Sequence, residues 1–246
     1  MIKIDTVYQK VLAIANKEQR GYLAPQDFNL FADHAQKEIF EQYFYDLNQF
    51  RRVPGNNTEY ADMVKILEEK ISLFEIYDKA HTVVPGSSGS VNLNEHADIY
   101  RLSMIRVKYS ANFMKTAEQI QLSELNTFGD SPLTRWTKNR PVYTRYSTSN
   151  VLYPDRIKIY PTPPDGPVAF ISYIKKPQTP NWNYQIVNEK PFFKNDSESQ
   201  DFELHSSDES ELVYRILALA GVQIEKPQLT QVAAGLQGAT VQQEKQ

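Results

Sequence analysis

The sequence predicts an α+β protein. It combines an N-terminal antiparallel helical bundle and a C-terminal helix with an inserted, mostly antiparallel β region. Three observations carry this expectation. Apolar residues recur at helical spacing up to about residue 80, strand-like alternation takes over from Ile105, and helical spacing returns in "ESELVYRILALAGVQI". The expected boundaries are a helical hairpin or bundle at 1–80, a β-rich region with long loops at 81–206, a C-terminal helix packing on the bundle at 207–225, and a docking tail at 226–246.

In the first helix Asp5 is placed to cap, and Val7, Val11, Ile14 and Ala15 share a face until Gly21 stops it. The second opens at "APQDFNLF", where Pro25 suits a first turn and Asp27 the positive helix end, and it runs to about Asn48. Phe28, Phe31, Ala35 and Ile39 form one stripe, and Phe40, Phe44 and Leu47 a second. A surface that wide meets more than one neighbouring helix. After the turn "RRVPGNNTEY", Asn57 or Thr58 caps a third helix to about Lys79, with Val64, Leu67, Ile71 and Phe74 inward.

Beyond "VVPGSSGS", "IRVKY" and "DRIKIYP" alternate, Val142–Tyr146 is a further strand candidate, and "PVAFISYI" is apolar on both faces, as in a strand covered on both sides. Residues 181–206 read as polar and irregular. Ser206 and Glu209 have capping-box spacing, and behind them Leu212, Val213, Ile216, Leu217 and Ala220 face a core. In the tail, Leu229, Val232, Ala233 and Leu236 keep helical spacing between two glycines, the pattern of a segment that orders on docking.

Composition narrows the function. With 246 residues the chain can bury a core, and its 15 Tyr and 12 Phe exceed a core's needs in a way that suits interfaces. There are no cysteines, so thiolate metal sites and disulfides are excluded. The N-terminal stretch lacks the apolar centre of a signal peptide, and no run approaches about 18 apolar residues. A soluble protein made in a cytoplasm, with no membrane partner, is expected.

The net charge of −3 conceals a segregation: −5 over residues 1–98, +8 over 99–194 and −6 over 195–246. These are either three solvated surfaces or complementary faces, the basic middle of one copy meeting the acidic part of another.

No motif carries chemistry. The four histidines are scattered, and His34 with Glu38 lacks a third ligand. "PGSSGS" has Ser90 where a nucleophile elbow needs glycine, and no phosphate-cradling glycine pattern occurs. In the acidic run "NDSESQDFELHSSDESEL", Asp201 occupies the position where a calcium loop starting at Asp196 requires glycine. Basic residues from Arg101 to Arg145, Arg135 among them, interleave with Trp136, Tyr143 and Tyr146, a composition used in single-strand binding. The acidic chain nevertheless matches no sequence-reading motif. No catalytic residue, metal or cofactor is expected.

Several segments resemble one family. "ANKEQRGYLAPQDFNLFADHAQKEIFEQY" is similar to the opening helical hairpin of head-to-tail connector (adaptor or ring) proteins of short-tailed bacteriophages, including the crAss-like group. "IYRLSMIRVKY", "SELNTFGDSPLTRWTKNRPVY", "RIKIYPTPP", "ISYIKKPQTPNW" and "ESELVYRILALAGVQI" follow in the family's order. The resemblance implies a structural virion protein that is not an enzyme. It implies a homo-oligomeric ring, commonly of twelve copies, that binds the portal protein and downstream tail or ring proteins at the portal vertex. DNA passes through the lumen without sequence readout. A carbohydrate- or receptor-binding virion module that uses exposed aromatics is the alternative.

The arm "KKPQTPNW", from Lys175 and Lys176 to Trp182, reads as a rigid contact element with Trp182 as its anchor. Together with Arg135, Trp136 and the tail's Leu229, Val232 and Leu236, it makes up the expected interface.

Overall fold

The structure is a computed structural model that describes residues 1–17, 23–52, 58–83, 89–93, 98–147, 155–164 and 166–223. The chain divides into two compact units, Phe74–Lys176 and the segments on either side of it.

In the flanking unit, α1 (Ile4–Lys17), α2 (Pro25–Arg52), α3 (Thr58–Ser72) and α5 (Glu209–Gln223) form the helical part. The helix α5 packs on both α1 and α2, and α3 packs on α2. Val7, Val11, Phe28, Ala35, Ile39, Ile71, Leu212, Ile216 and Leu217 are buried as their spacing predicts, whereas Ile14 turns outward. The helix α5 does not begin with the expected Ser206–Glu209 box. The His205 side chain instead accepts a hydrogen bond from the Ser207 amide (3.3 Å), opening a short 3-10 turn over Ser206–Asp208.

Two ionic clusters lie among these helices. Asp208 accepts hydrogen bonds from Lys70 Nζ (2.7 Å) and the Tyr43 hydroxyl, all three being buried. Arg215 reaches Glu211 from Nε (3.0 Å) and Nη2 (2.6 Å), and its guanidinium also meets Gln42 and Glu38. Each charge therefore has partners in an interior where an unpaired one would be strongly destabilising.

The inserted unit corrects the expected architecture. It is a closed seven-stranded barrel in the order β1 (Glu75–Val83), β2 (Ser90–Asn92), β6 (Asp155–Tyr160), β5 (Val142–Ser147), β4 (Phe113–Gln119), β3 (Ile99–Ser110), β7 (Gly166–Lys175), with β7 pairing back to β1. All neighbours are antiparallel except β4 and β5. A helical bundle carrying an inserted β region does not describe this fold.

The cause is visible at the third helix. Its apolar spacing continues through Phe74, but the chain is already a strand at Glu75, where the expected helix ran on to Lys79. The strand β1 disguises its period with a bulge at Asp78, whose φ is 51°. The Asp78 amide donates to Ser172 Oγ (3.1 Å), and its carboxylate holds Arg106 from β3. The barrel interior is filled by Ile105, Val107, Ile157, Ile159, Ile171 and Tyr173 with smaller neighbours. Gly89 enters β2 at φ +90°, where a Cβ would lie 2.8 Å from the Ile159 carbonyl oxygen.

A short helix, α4 (Leu125–Asp130), precedes β5, and Gly129 in it lets Trp136 pack closely: a Cβ there would meet the indole at 2.7 Å. In the flanking unit, the stretch read as irregular contains a two-stranded hairpin, β8 (Tyr184–Val187) and β9 (Lys190–Phe193). Its turn residues Asn188 and Glu189 have φ of 51° and 62°, as a tight hairpin turn requires.

Candidate interaction surfaces

Each residue of the expected interface has a definite place, apart from Leu229, Val232 and Leu236, which lie outside the described residues. Lys175 is half-buried at the end of β7, its amide bonded to the Phe74 carbonyl (2.8 Å). Lys176 is exposed, and its amide donates to the Asp98 carbonyl (2.6 Å). Arg135 is exposed, and Trp136 is half-buried with its ring 4.9 Å from that of Tyr160.

Trp182 does not stand at the surface. With 1% of its area exposed, it is among the largest fully buried side chains. Its ring lies 4.1 Å from that of Tyr8 and stacks on Tyr184 and Phe193 at 5.8 and 5.9 Å. Its indole nitrogen donates to Asp5 Oδ1 (3.0 Å), and its amide to Asn29 Oδ1 (2.8 Å).

The arm before it is held just as firmly. Gln36, fully buried, donates to the Gln178 carbonyl (2.7 Å), and the Gln178 amide donates to Glu203 (3.0 Å). Asn29 donates to Asn181 (3.0 Å). From Gln178 to Trp182 the arm is therefore an internal tie of the flanking unit, and the indole cannot serve as a contact for a neighbouring subunit. An apolar residue flanked by prolines reads the same in sequence whether it fills a partner's pocket or its own core.

Beside this tie lies a cleft of about 600 Å³ lined by Met1, Lys3, Asp5, Thr6, Phe193, Asn195, Asp196, Ser199, Gln200 and Asp201. Asp201 Oδ1 accepts from the Ile4 amide (2.9 Å). Hydrogen bonds from Lys194 (2.7 Å) and Asn183 hold the Asp196 carboxyl down to about 2. The same Asp196 bond raises the Lys194 ammonium above its ordinary value. The cleft is polar, and its carboxylates are committed to the chain's own donors. Among the described residues, no group of three or more His, Asp or Glu is placed to hold a metal ion, and no helix is long and apolar enough to cross a membrane.

On the barrel, the interleaved basic and aromatic residues separate by strand parity. Ile157, Ile159 and Tyr143 point inward, while their neighbours Arg156, Lys158 and Tyr160 lie on the outer face. Lys158 Nζ sits 5.3 Å from the centre of the Tyr160 ring. Tyr146 on β5 shares a hydrogen bond with Ser90 on β2 (2.8 Å). Of the stretch noted in sequence, Arg106 is tied to Asp78 and Arg140 to Glu118 (3.0 Å), so neither is a free cation. On the opposite parity, Tyr109 donates to the Pro161 carbonyl (2.9 Å), and burial pushes its phenol up to about 12.

The charge segregation seen along the sequence persists, at a smaller contrast, when counted by unit. Residues 74–176 carry 13 Lys+Arg and 9 Asp+Glu, a net of +4, and the rest of the chain carries 14 and 21, a net of −7.

The hairpin was missed in sequence. Ile186, Val187 and Phe192 are 70%, 43% and 51% exposed, so the hairpin projects apolar side chains. Its signal was present as "YQIV" and "KPFF" around the two residues Asn188 and Glu189, although the turn lacks glycine. Compared with known proteins, the chain matches no family model and no curated protein sequence.

Proposed function

We propose that this chain is a structural virion protein that assembles with further copies of itself into an adaptor ring between a capsid portal and tail components, with DNA passing through the lumen. The observation that carries the reading is the division of charge, a basic barrel unit (+4) in a chain whose remainder is acidic (−7). A ring joins two different faces of the same chain, and faces of opposite sign set their register and orientation. The ordered resemblance of six segments to connector proteins supplies the portal and tail as partners. The reading does not need Trp182 as an interface anchor, since the surface that assembles can lie on either unit.

The test mixes the purified full chain with its portal protein and images the product by electron microscopy at low and high salt. A ring seated on the portal, weakened by salt as exposed charge pairs are, is the expected result. A strict monomer with no affinity for portal or tail proteins would refute it.

A further inference from the structure

We infer that strand β8 is a self-pairing edge: two copies of this chain join β8 to β8 about a two-fold axis, making one four-stranded antiparallel sheet from two hairpins. The proposal is independent of the ring reading.

Every barrel strand has a neighbour on both sides over at least part of its length, whereas among the described residues β8 and β9 each have one side unpaired along their whole length. A two-stranded hairpin is marginal by itself, and this one carries exposed Ile186 and Val187 on β8 and Phe192 on β9.

The two edges are not equivalent. Tyr184 pairs with Phe193, Ile186 with Pro191 and Val187 with Lys190 across a two-residue turn. The Lys194 amide donates to the Asn183 carbonyl (2.9 Å), so the hydrogen-bonded pairs are 183–194, 185–192 and 187–190. The peptides of residues 184 and 186 on β8, and of 191 and 193 on β9, therefore point away from the partner strand. Pro191 has no N–H to offer, and Lys190 places a charge beside it, two devices that blunt an edge.

The strand β8 has neither device. "YQIV" is uncharged and free of proline, and the Ile186 N–H and C=O face outward. The Tyr184 amide is already met by Asn183 Oδ1 (3.0 Å).

The hairpin of a second copy offers the same two edges. Pairing β9 to β9 sets Lys190 near its own image and lacks the proline donors. Pairing β8 to β8 brings no like charges together and covers Ile186 on both copies. The Trp182 stack on Tyr184 and Phe193 holds the base of the hairpin rigid for this contact. The shared strands alone cover less than the area of a stable dimer interface, so the association is weak and depends on concentration.

The experiment is sedimentation equilibrium of the full chain over a concentration series, for the wild type and three variants. Ile186→Pro removes the outward N–H together with the isoleucine side chain, and Ile186→Lys places like charges across the axis. Circular dichroism confirms that both remain folded. The wild type is expected to show a monomer–dimer equilibrium that each variant weakens by about tenfold or more. Pro191→Val restores an outward N–H on β9 and is expected to drive association beyond the dimer, because both edges are then open. A wild type that stays monomeric throughout, or a dimer that neither Ile186 variant weakens, overturns the proposal. So does self-association unchanged by Ile186→Pro in which only larger oligomers form, since another face is then responsible.

Discussion

Replacing Trp182 by alanine tests whether the "KKPQTPNW" arm is an internal tie. The side chain is 1% exposed, surrounded by Tyr8, Tyr184 and Phe193, and bonded through its indole nitrogen to Asp5. Truncating a buried aromatic of this size removes about 3–5 kcal/mol through lost burial and the cavity left behind. Three ring contacts and one hydrogen bond are lost together, which places the substitution near the upper end of that range. In urea, with a slope of about 3 kcal/mol per molar, the midpoint of the helical unit should fall by about 1.5 M. The assay is urea unfolding followed by far-UV circular dichroism, which reads the helices directly. Trp182→Phe keeps a ring in the stack but leaves Asp5 without its donor, and should lose only about 1–2 kcal/mol. If Trp182→Ala unfolds within about 0.5 kcal/mol of wild type, the indole is not part of the core and the tie is misread.

Lys70→Met leaves Asp208 buried with only Tyr43 and Ser207 beside it, so a loss of about 3–5 kcal/mol is expected in the same assay. A neutral result would mean that Asp208 rehydrates. Gly129→Ala forces a methyl to within 2.7 Å of the Trp136 ring as it now stands. It should displace that ring and change its fluorescence; an emission spectrum unchanged after correction for Trp182 would refute the close packing. Gly89→Ala combines φ of +90° with a 2.8 Å approach to the Ile159 carbonyl, and should lower the barrel's thermal midpoint. An unchanged midpoint would show that the backbone there can relax. For Tyr109, folding favours the protonated phenol, so its contribution is complete below pH 10 and is lost as pH rises from 10 to about 12. Burial raises the Tyr143 phenol as well, so ultraviolet titration should show late-ionising phenols, and Tyr109→Phe should remove one of them.

Legibility in sequence followed how much of each element's environment was local. The faces of α1, α2 and α5 could be read because burial repeats every turn, and Phe28, Ile39, Leu212 and Ile216 lie where the spacing puts them. The inward residues of β3 and β6 were legible through simple alternation. Closure of the barrel was not, because β1 pairs with β7 about 90 residues away and conceals its period behind the Asp78 bulge. The hairpin escaped because its turn uses Asn188 and Glu189 at positive φ without glycine. Trp182 shows a different limit. Its partners Tyr8, Asn29 and Asp5 are more than 150 residues away, so proximity in sequence could not distinguish a surface anchor from a core one.

The closed barrel also restricts how copies of this chain can assemble. An open sheet lets neighbours join edge to edge through backbone hydrogen bonds, whereas a closed barrel, whose strands pair on both sides over part of their length, is recognised mainly through its side chains. The outer side chains of β6 are Arg156, Lys158 and Tyr160, the last against Trp136, whereas Val142 and Thr144 on the same side of β5 are buried. Contacts made there are governed by charge and should weaken with salt. The hairpin obeys the opposite logic, since β8 offers uncharged backbone and apolar side chains whose association salt leaves intact or strengthens. Salt thus separates the two modes in one sample. Assembly through the barrel's basic face dissolves as ionic strength rises, while pairing through β8 persists. Loss of both together would show that the hairpin contact depends on the charged one.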